Sequence, residues 1–329
     1  MVYAYIPVTI TNSESTATST DFQQLVNVDL SYYTSSLNSD LSNTFFSSDT
    51  AGSDIITSWL ESGNTSPFNS VNFWIYLPNG VGASSSITVY LQVDLSGTSH
   101  FNTTTTGVAP QLTSSYGEYD NGANIFANYW NFARTTAPSD WTNNAGTISY
   151  NNGVTFNSTA SGSFWYYTGA TYSGNLMIDE LMKVNTQAST VGDGEGLVGL
   201  TTTTPSWTST FSAAKVYNNT IPKLGIIYLG TDADTATEFE PVGTFGILGF
   251  SATSSGMNIY LNYQKIVSST DAVPSSYYIV GSEASTDAQV FIQWLRTRTY
   301  PPNGVMPFVT AGTPSNFPYY NTTTYEDLL

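Results

Sequence analysis

Apolar and polar residues alternate with a period of two along most of the chain, and this pattern predicts β-strands. In residues 2–11, Ala4, Ile6, Val8 and Ile10 share one face while Tyr3, Tyr5, Pro7 and Thr9 share the other. Pro7 places that strand at an edge or a strand start, because proline cannot donate to a ladder. Further strands are expected at 22–30, 43–46, 55–61, 69–77 and 85–93, with a short helix at 32–41. The turn Pro78-Asn79-Gly80 joins two of these as a hairpin. So many short strands so closely spaced have the cadence of a β-sandwich.

A second series follows. Residues 96–114 are rich in threonine, punctuated by Gly and Pro, and read as a linker. Residues 115–124 carry turn chemistry at Gly117 and at Asp120-Asn121-Gly122. The aromatic run Ile125–Phe132 then reads as the first strand of a second unit. Later strands are expected in a hairpin over 146–158 that turns at Asn151-Asn152-Gly153, and at 175–186, 223–229, 242–250, 257–266 and 290–300. Pro301-Pro302-Asn303-Gly304 ends the last of them. The expected division is 1–114, 115–312 and a polar aromatic tail, 313–329. Charge supports a change of character near the joint: all seven Lys and Arg lie at or after Arg134.

Composition sharpens this picture. Hydrophobic residues make up 40% and aromatics 14%, so the chain can bury a core despite its Ser, Thr and Asn. Tyr (23) and Phe (17) suit pleated surfaces, and the fold class is all-β. With 24 acids against 7 bases the net charge is −17. That excludes nucleic acid, which needs a basic footprint, and an anionic membrane surface. Without cysteine there is no disulfide, thiol chemistry or thiolate metal site, and His100 alone cannot build a multi-histidine zinc site. No apolar run is long enough to insert in a membrane. The first residues read as a strand and lack a basic leader. That fits a secreted protein whose signal was removed, a piece of a longer chain, or a protein assembled inside a cell before it leaves. A surface made polar by hydroxyls and amides has few ion pairs to lose in acid, which suggests an acidic exterior as the setting.

The segments Tyr5-Ile6-Pro7-Val8-Thr9-Ile10-Thr11-Asn12, 22–28, 55–62 and 71–91 follow the order and spacing of the domain of unknown function DUF2341, and residues 3–95 resemble it. The resemblance implies a β-sandwich module of surface proteins, often placed before a laminin-G or concanavalin-like jelly roll, with no established chemistry. Tyr129-Trp130-Asn131-Phe132 followed by Trp141 resembles the entry to concanavalin-like lectin and glucanase sandwiches. The strands over about 130–310 fall in that family's order. The combined expectation is two tandem β-sandwiches, the second a concanavalin-like jelly roll.

Several groups of residues are candidates for chemistry. In the glucanase branch a long strand carries the catalytic acids as Glu-x-Asp-x-x-Glu, and 175–186 resembles that strand. Here it holds only Asp179-Glu180, neighbours that point to opposite faces, and Glu238 and Glu240 lack a third acid. These acids read as solvent-facing and no catalytic residue is assigned. Asp232, Asp234 and Glu238 place three carboxylates in what reads as a flexible loop, a candidate structural calcium site; no other cofactor is expected. Trp165 and Tyr167 share a strand face and, with Tyr172 and Trp207, form the candidate carbohydrate platform. Trp59, Trp74, Trp130 and Trp294 read as core. Arg296 and Arg298 share a face of the last strand and read as surface partners for acids. Asn64, Asn102, Asn157, Asn218 and Asn321 head glycosylation sequons. The expected role is a non-enzymatic exterior subunit on a virion or archaeal-type cell surface. It would be oligomeric or packed with other exterior subunits, with cell-surface glycans or glycoproteins as partners. The alternatives are a secreted carbohydrate-binding module and a glycoside hydrolase.

Overall fold

The computed structural model describes residues 3–159, 163–189, 194–204, 211–217, 223–228, 231–238, 242–271, 277–284 and 287–317. For 194–195, 211, 215, 217, 223, 227, 231–238 and 283–284 it describes the backbone alone. The chain divides into two compact units: residues up to Phe126 together with those from Pro301 onward, and Ala127–Tyr300. The second unit is thus an insertion within the first. This corrects the expected boundaries. Residues 115–126 belong to the first unit, and so does the described part of the segment after Tyr300.

The first unit begins with β1 (Tyr3–Asn12), β2 (Phe22–Val28), β3 (Thr44–Ser47), β4 (Ile55–Ile56), β5 (Ser58–Ser62), β6 (Val71–Leu77), β7 (Ser85–Asp94) and β8 (Thr106–Val108). The expected helix at 32–41 is only a 3₁₀ turn, Ser31–Ser36. Its Ser and Tyr residues are weak helix formers, and no side chain caps it. The second unit holds β9 (Asn128–Trp130), β10 (Trp141–Asn143), β11 (Thr147–Tyr150), β12 (Val154–Asn157), β13 (Ser163–Tyr167), β14 (Leu176–Thr186), β15 (Gly194–Thr201) and β16 (Phe211–Tyr217). It continues with β17 (Lys223–Tyr228), β18 (Thr231–Glu238), β19 (Gly246–Thr253), β20 (Gly256–Leu261), β21 (Gln264–Ser269), β22 (Tyr278–Ala284) and β23 (Gln289–Arg298). The chain then returns to the first unit as β24 (Phe308–Ala311).

In the first unit a sheet ordered β24-β1-β7-β3-β4 faces one ordered β2-β6-β5-β8. β1 alternates half-buried and buried along its whole length, with Ala4, Ile6, Val8 and Ile10 in the core as its pattern predicts. Pro7 sits beside β24's end: β24 pairs with Val8–Thr11, and Pro7 itself offers only its carbonyl, to the Gly312 amide at 2.7 Å. The supposed linker is structural, since β8 runs parallel to β5. Trp59 and Trp74 are fully buried, and Phe126 meets both rings edge-on at 5.4 and 5.7 Å. Ile125 and Phe126 therefore close the first unit, whereas the pattern assigned them to the second. His100 is not in an open linker either. Its Nε2 lies 3.1 Å from Asp94, and its ring packs 4.5 Å from Phe45.

The second unit is a larger sandwich. One sheet runs β10-β13-β22-β15-β16-β17-β18, the other β11-β12-β23-β14-β19-β20-β21, with β9 also on β23. Its main core cluster draws on both sheets and includes Ile178, Met182, Leu248, Phe250, Val198 and Ile279, and a smaller cluster gathers Phe164, Tyr166, Leu197, Ala213 and Val280. The protein is all-β, two sandwiches, as its alternation predicts. Residues 231–238, expected as a loop, are strand β18 at a sheet edge. The Thr residues interleaved with the acids favour extended backbone. Among the described residues no helix is long and apolar enough to cross a membrane.

Candidate functional site

The densest side-chain chemistry of the second sandwich is an aromatic series built on β9, β10 and β13. β10 pairs with β13 so that Trp141 lies opposite Tyr167 and Asn143 opposite Trp165. Trp141 stacks on Trp165 with ring centroids 3.9 Å apart. Both indoles lie against Gly281 of β22, where an added Cβ would stand 2.7 Å from one ring and 2.8 Å from the other. Glycine is required there for this close approach. The Trp165 indole N–H donates to the Tyr150 hydroxyl at 3.2 Å, which satisfies a polar atom deep in the core.

From that buried pair the series climbs outward. Trp130 stands perpendicular to Trp141 at 5.4 Å and lies 4.9 Å from Tyr167. Tyr167 lies 6.3 Å from Tyr172. Trp130, Tyr167 and Tyr172 are each half-buried and pack on the core, and the Tyr172 hydroxyl is itself buried. Tyr172 is pinned by a two-bond bridge to Tyr277, at 2.7 and 3.0 Å, and the Tyr277 hydroxyl donates to the Gly174 carbonyl. The Asp140 carbonyl accepts both the amide and the hydroxyl of Thr168, tying the strand that precedes the Tyr172 loop to the turn before β10. Burial, then the negative charge of Asp140, pushes the Tyr167 hydroxyl up. Burial does most of the same to Tyr172, with Tyr167 and Asp140 adding to it. Both phenols therefore stay neutral donors near a carboxylate acceptor. Fixed rings, the Tyr167 hydroxyl and one carboxylate can stack on the C–H face of a polyol and bond its hydroxyls.

The structure sorts the expected platform residues. Tyr167 and Tyr172 come together. Trp165 is fully buried, because the face it shares with Tyr167 is the core face and only the strand's end emerges. Trp207 lies outside the described residues. Trp130, expected as core, is half-exposed and joins the platform, as does Asp140. The signal for Trp130 was its place two residues ahead of Phe132, at the end of a strand only three residues long. Such a strand has little length over which to carry a side chain inward.

The expected solvent-facing acids Asp179 and Glu180 are both fully buried, on opposite faces of β14. Asp179 Oδ2 takes the Nε of Arg296 at 3.2 Å and the Nε of Arg298 at 2.7 Å. Gly249, its partner on β19, leaves room for the carboxylate. Burial works against the charged form, and the guanidiniums of Arg298 and Arg296 outweigh it, holding Asp179 below the usual carboxylate range. Arg296 also donates to the Tyr263 hydroxyl at 2.7 Å and stacks over Trp294 at 4.6 Å. The arginines do pair with an acid across the sheet, in the interior and not at the surface. A pair of glycosidase carboxylates must flank one bond; Asp179 and Glu180 face opposite ways and neither reaches solvent.

The side chains of Asp232, Asp234 and Glu238 lie outside the described residues. Among the described residues no three His, Asp or Glu side chains gather to hold a metal ion. Asn64 is half-buried just beyond β5. Asn102 is engaged in its own loop: its amide donates to the His100 carbonyl at 2.8 Å and its oxygen accepts the Thr104 and Thr105 amides. Asn157 accepts from Gln289. Asn218 and Asn321 lie outside the described residues.

No family model matches the chain, the surface-module family named above included. It is 28% identical over 336 residues to "Uncharacterized protein 562" of Sulfolobus islandicus rod-shaped virus 1, an alignment that covers 91% of this chain and 57% of that protein. Among solved structures it is similar to the carbohydrate-binding module CBM66 of Bacillus subtilis, with a TM-score of 0.37 and 18% identity over 49% of this chain and 96% of that one. It is also similar to the calcium-bound exoplasmic/lumenal domain of VIP36, with a TM-score of 0.42 and 11% identity over 55% and 94%. The alginate lyase AlgAT5, of polysaccharide lyase family 7, matches with a TM-score of 0.35 and 14% identity over 50% and 82%.

Proposed function

We propose that the chain is a non-enzymatic exterior protein, a subunit of a virus particle or an archaeal-type cell surface. In this reading it binds saccharide on the platform of Trp130, Tyr167 and Tyr172 beside Asp140. The observation that carries the binding role is the half-exposure of these three rings on a rigid base, next to a carboxylate. Stacking supplies affinity without a large ordering cost, because the rings are already held in place. The viral relative favours the particle over the cell. The burial of Asp179 and Glu180 speaks against hydrolysis. Oligomeric packing with other exterior subunits belongs to the same reading.

A glycan array tests the binding role. Wild-type protein should retain a defined set of saccharides, and Tyr167→Ala and Trp130→Ala should each weaken them about 10-fold or more, in line with the loss of one stacked aromatic contact. Equal retention by wild type and both variants would place the ligand elsewhere. Absence of any retained glycan would leave an exterior role without saccharide binding, and release of reducing ends from a polysaccharide would overturn the non-enzymatic reading.

A further inference from the structure

Glu180 occupies a position where the fold offers a carboxyl nothing. It lies on the core face of β14, in line with the core residues Ile178, Met182 and Val184. Its cross-strand neighbours are Leu248 of β19 and Leu295 of β23, both core residues. It is 0% exposed, and neither carboxyl oxygen has a hydrogen-bond partner among the described residues. The charges nearby in sequence face away. On β14, Asp179 is on the other face, where it holds Arg296 and Arg298 of β23, and Lys183 shares that face and lies over the rings of Phe245 and Phe291. β19 carries no titratable residue. Across the sandwich β15 contributes Val198 and Leu200 to the core, and its one titratable residue, Glu195, is among those described by backbone alone.

We propose that Glu180 is a proton-operated latch of the second sandwich: the two sheets close fully over the protonated carboxyl, and its ionisation forces them to admit water. A carboxylate in such a place would be a bare charge in apolar surroundings, whereas the neutral acid is only an unsatisfied polar group. Burial alone pushes the Glu180 carboxyl well above its ordinary value. The sign follows. Between the ordinary and the raised value the folded chain holds one more proton than the unfolded chain, so folding weakens as pH rises, by about tenfold in equilibrium constant per pH unit. Below about pH 4.3 the contribution is constant and most favourable. The latch's contribution to the second sandwich is therefore greatest in acid and falls towards neutrality, which suits an acidic exterior. It is independent of any saccharide.

The test compares wild type with Glu180→Gln, which keeps the shape and cannot ionise. Urea unfolding between pH 5 and 8 should show the wild-type equilibrium constant falling with pH, and the variant should lose that slope while keeping its acid limb. An identical slope in both proteins would overturn the latch. Infrared spectroscopy of the folded wild type alone near pH 6, where ordinary carboxyls are ionised, gives a second readout that does not depend on how well the variant folds. A protonated carboxylic-acid band at that pH supports the latch, and its absence refutes it.

Discussion

Substituting the three members of the buried Arg296–Asp179–Arg298 cluster should give unequal losses. Asp179 and Arg296 are 0% exposed and Arg298 is 4% exposed, so none of the three can recover hydration when a partner is lost. Asp179→Asn removes the carboxylate that both arginines share, and breaking a buried pair in this way costs about 3–5 kcal/mol. Arg298→Met leaves Asp179 facing Arg296, whose Nε lies 3.2 Å away, so one charge still balances one charge. What is lost then is mainly the charge-assisted bond at 2.7 Å, about 1.5–3 kcal/mol. Replacing all three together, with Leu at Asp179 and Met at both arginines, removes the desolvation cost as well and should be neutral or stabilising by about 1–4 kcal/mol. Urea titration reads the order. With a slope of about 2 kcal/mol/M, a loss of about 4 kcal/mol moves the midpoint by about 2 M. The reasoning fails if Asp179→Asn is no worse than Arg298→Met, or if the triple variant is the least stable of the set.

Two further outcomes are expected. Gly281→Ala should push the Trp141–Trp165 stack apart, since the new methyl would meet both rings at under 3 Å; loss of near-ultraviolet circular dichroism with the far-ultraviolet signal retained reads this out. Asp94→Asn should flatten part of the acid limb of stability: burial raises the Asp94 carboxyl, but the Ser96 hydroxyl and amide and His100 together pull it below its ordinary value. Its contribution is thus present above about pH 3.9 and is lost as pH falls through the lower folded value, which urea unfolding between pH 2 and 5 measures.

The parts of the fold that the sequence announces are those where period-two alternation is long and uninterrupted. β1, β6 and β7 lie within a residue or two of where their pattern puts them, but the expected hairpin does not form: β6 lies between β2 and β5 in one sheet and β7 between β1 and β3 in the other. The domain boundary was not legible, because it depends on contacts far apart in sequence. Ile125 and Phe126 look like the start of an aromatic strand, yet Phe126 is claimed by Trp59 and Trp74, more than fifty residues earlier. β24 is four residues whose pairing with β1 spans almost the whole chain, and nothing local marks it. Within the site, alternation correctly put Trp165 and Tyr167 on one face but could not say that the face was the inner one. The same rule separated Asp179 from Glu180 and gave no hint that both were buried. Burial of acids is ordinarily forbidden, and it is permitted at Asp179 only by arginines more than a hundred residues away.

The insertion of one sandwich within the other also sets an order of events on the ribosome. β1 is made before the second unit, and its outer edge is covered by β24 only after the whole second unit has been translated. At ordinary rates of synthesis the interval between β1 and β24 is roughly 15–60 s. For that time a ten-residue strand offers bare amide and carbonyl groups to any neighbouring nascent chain. Pro7, which removes one donor in the middle of that edge, is well placed to discourage wrong pairings until β24 is made.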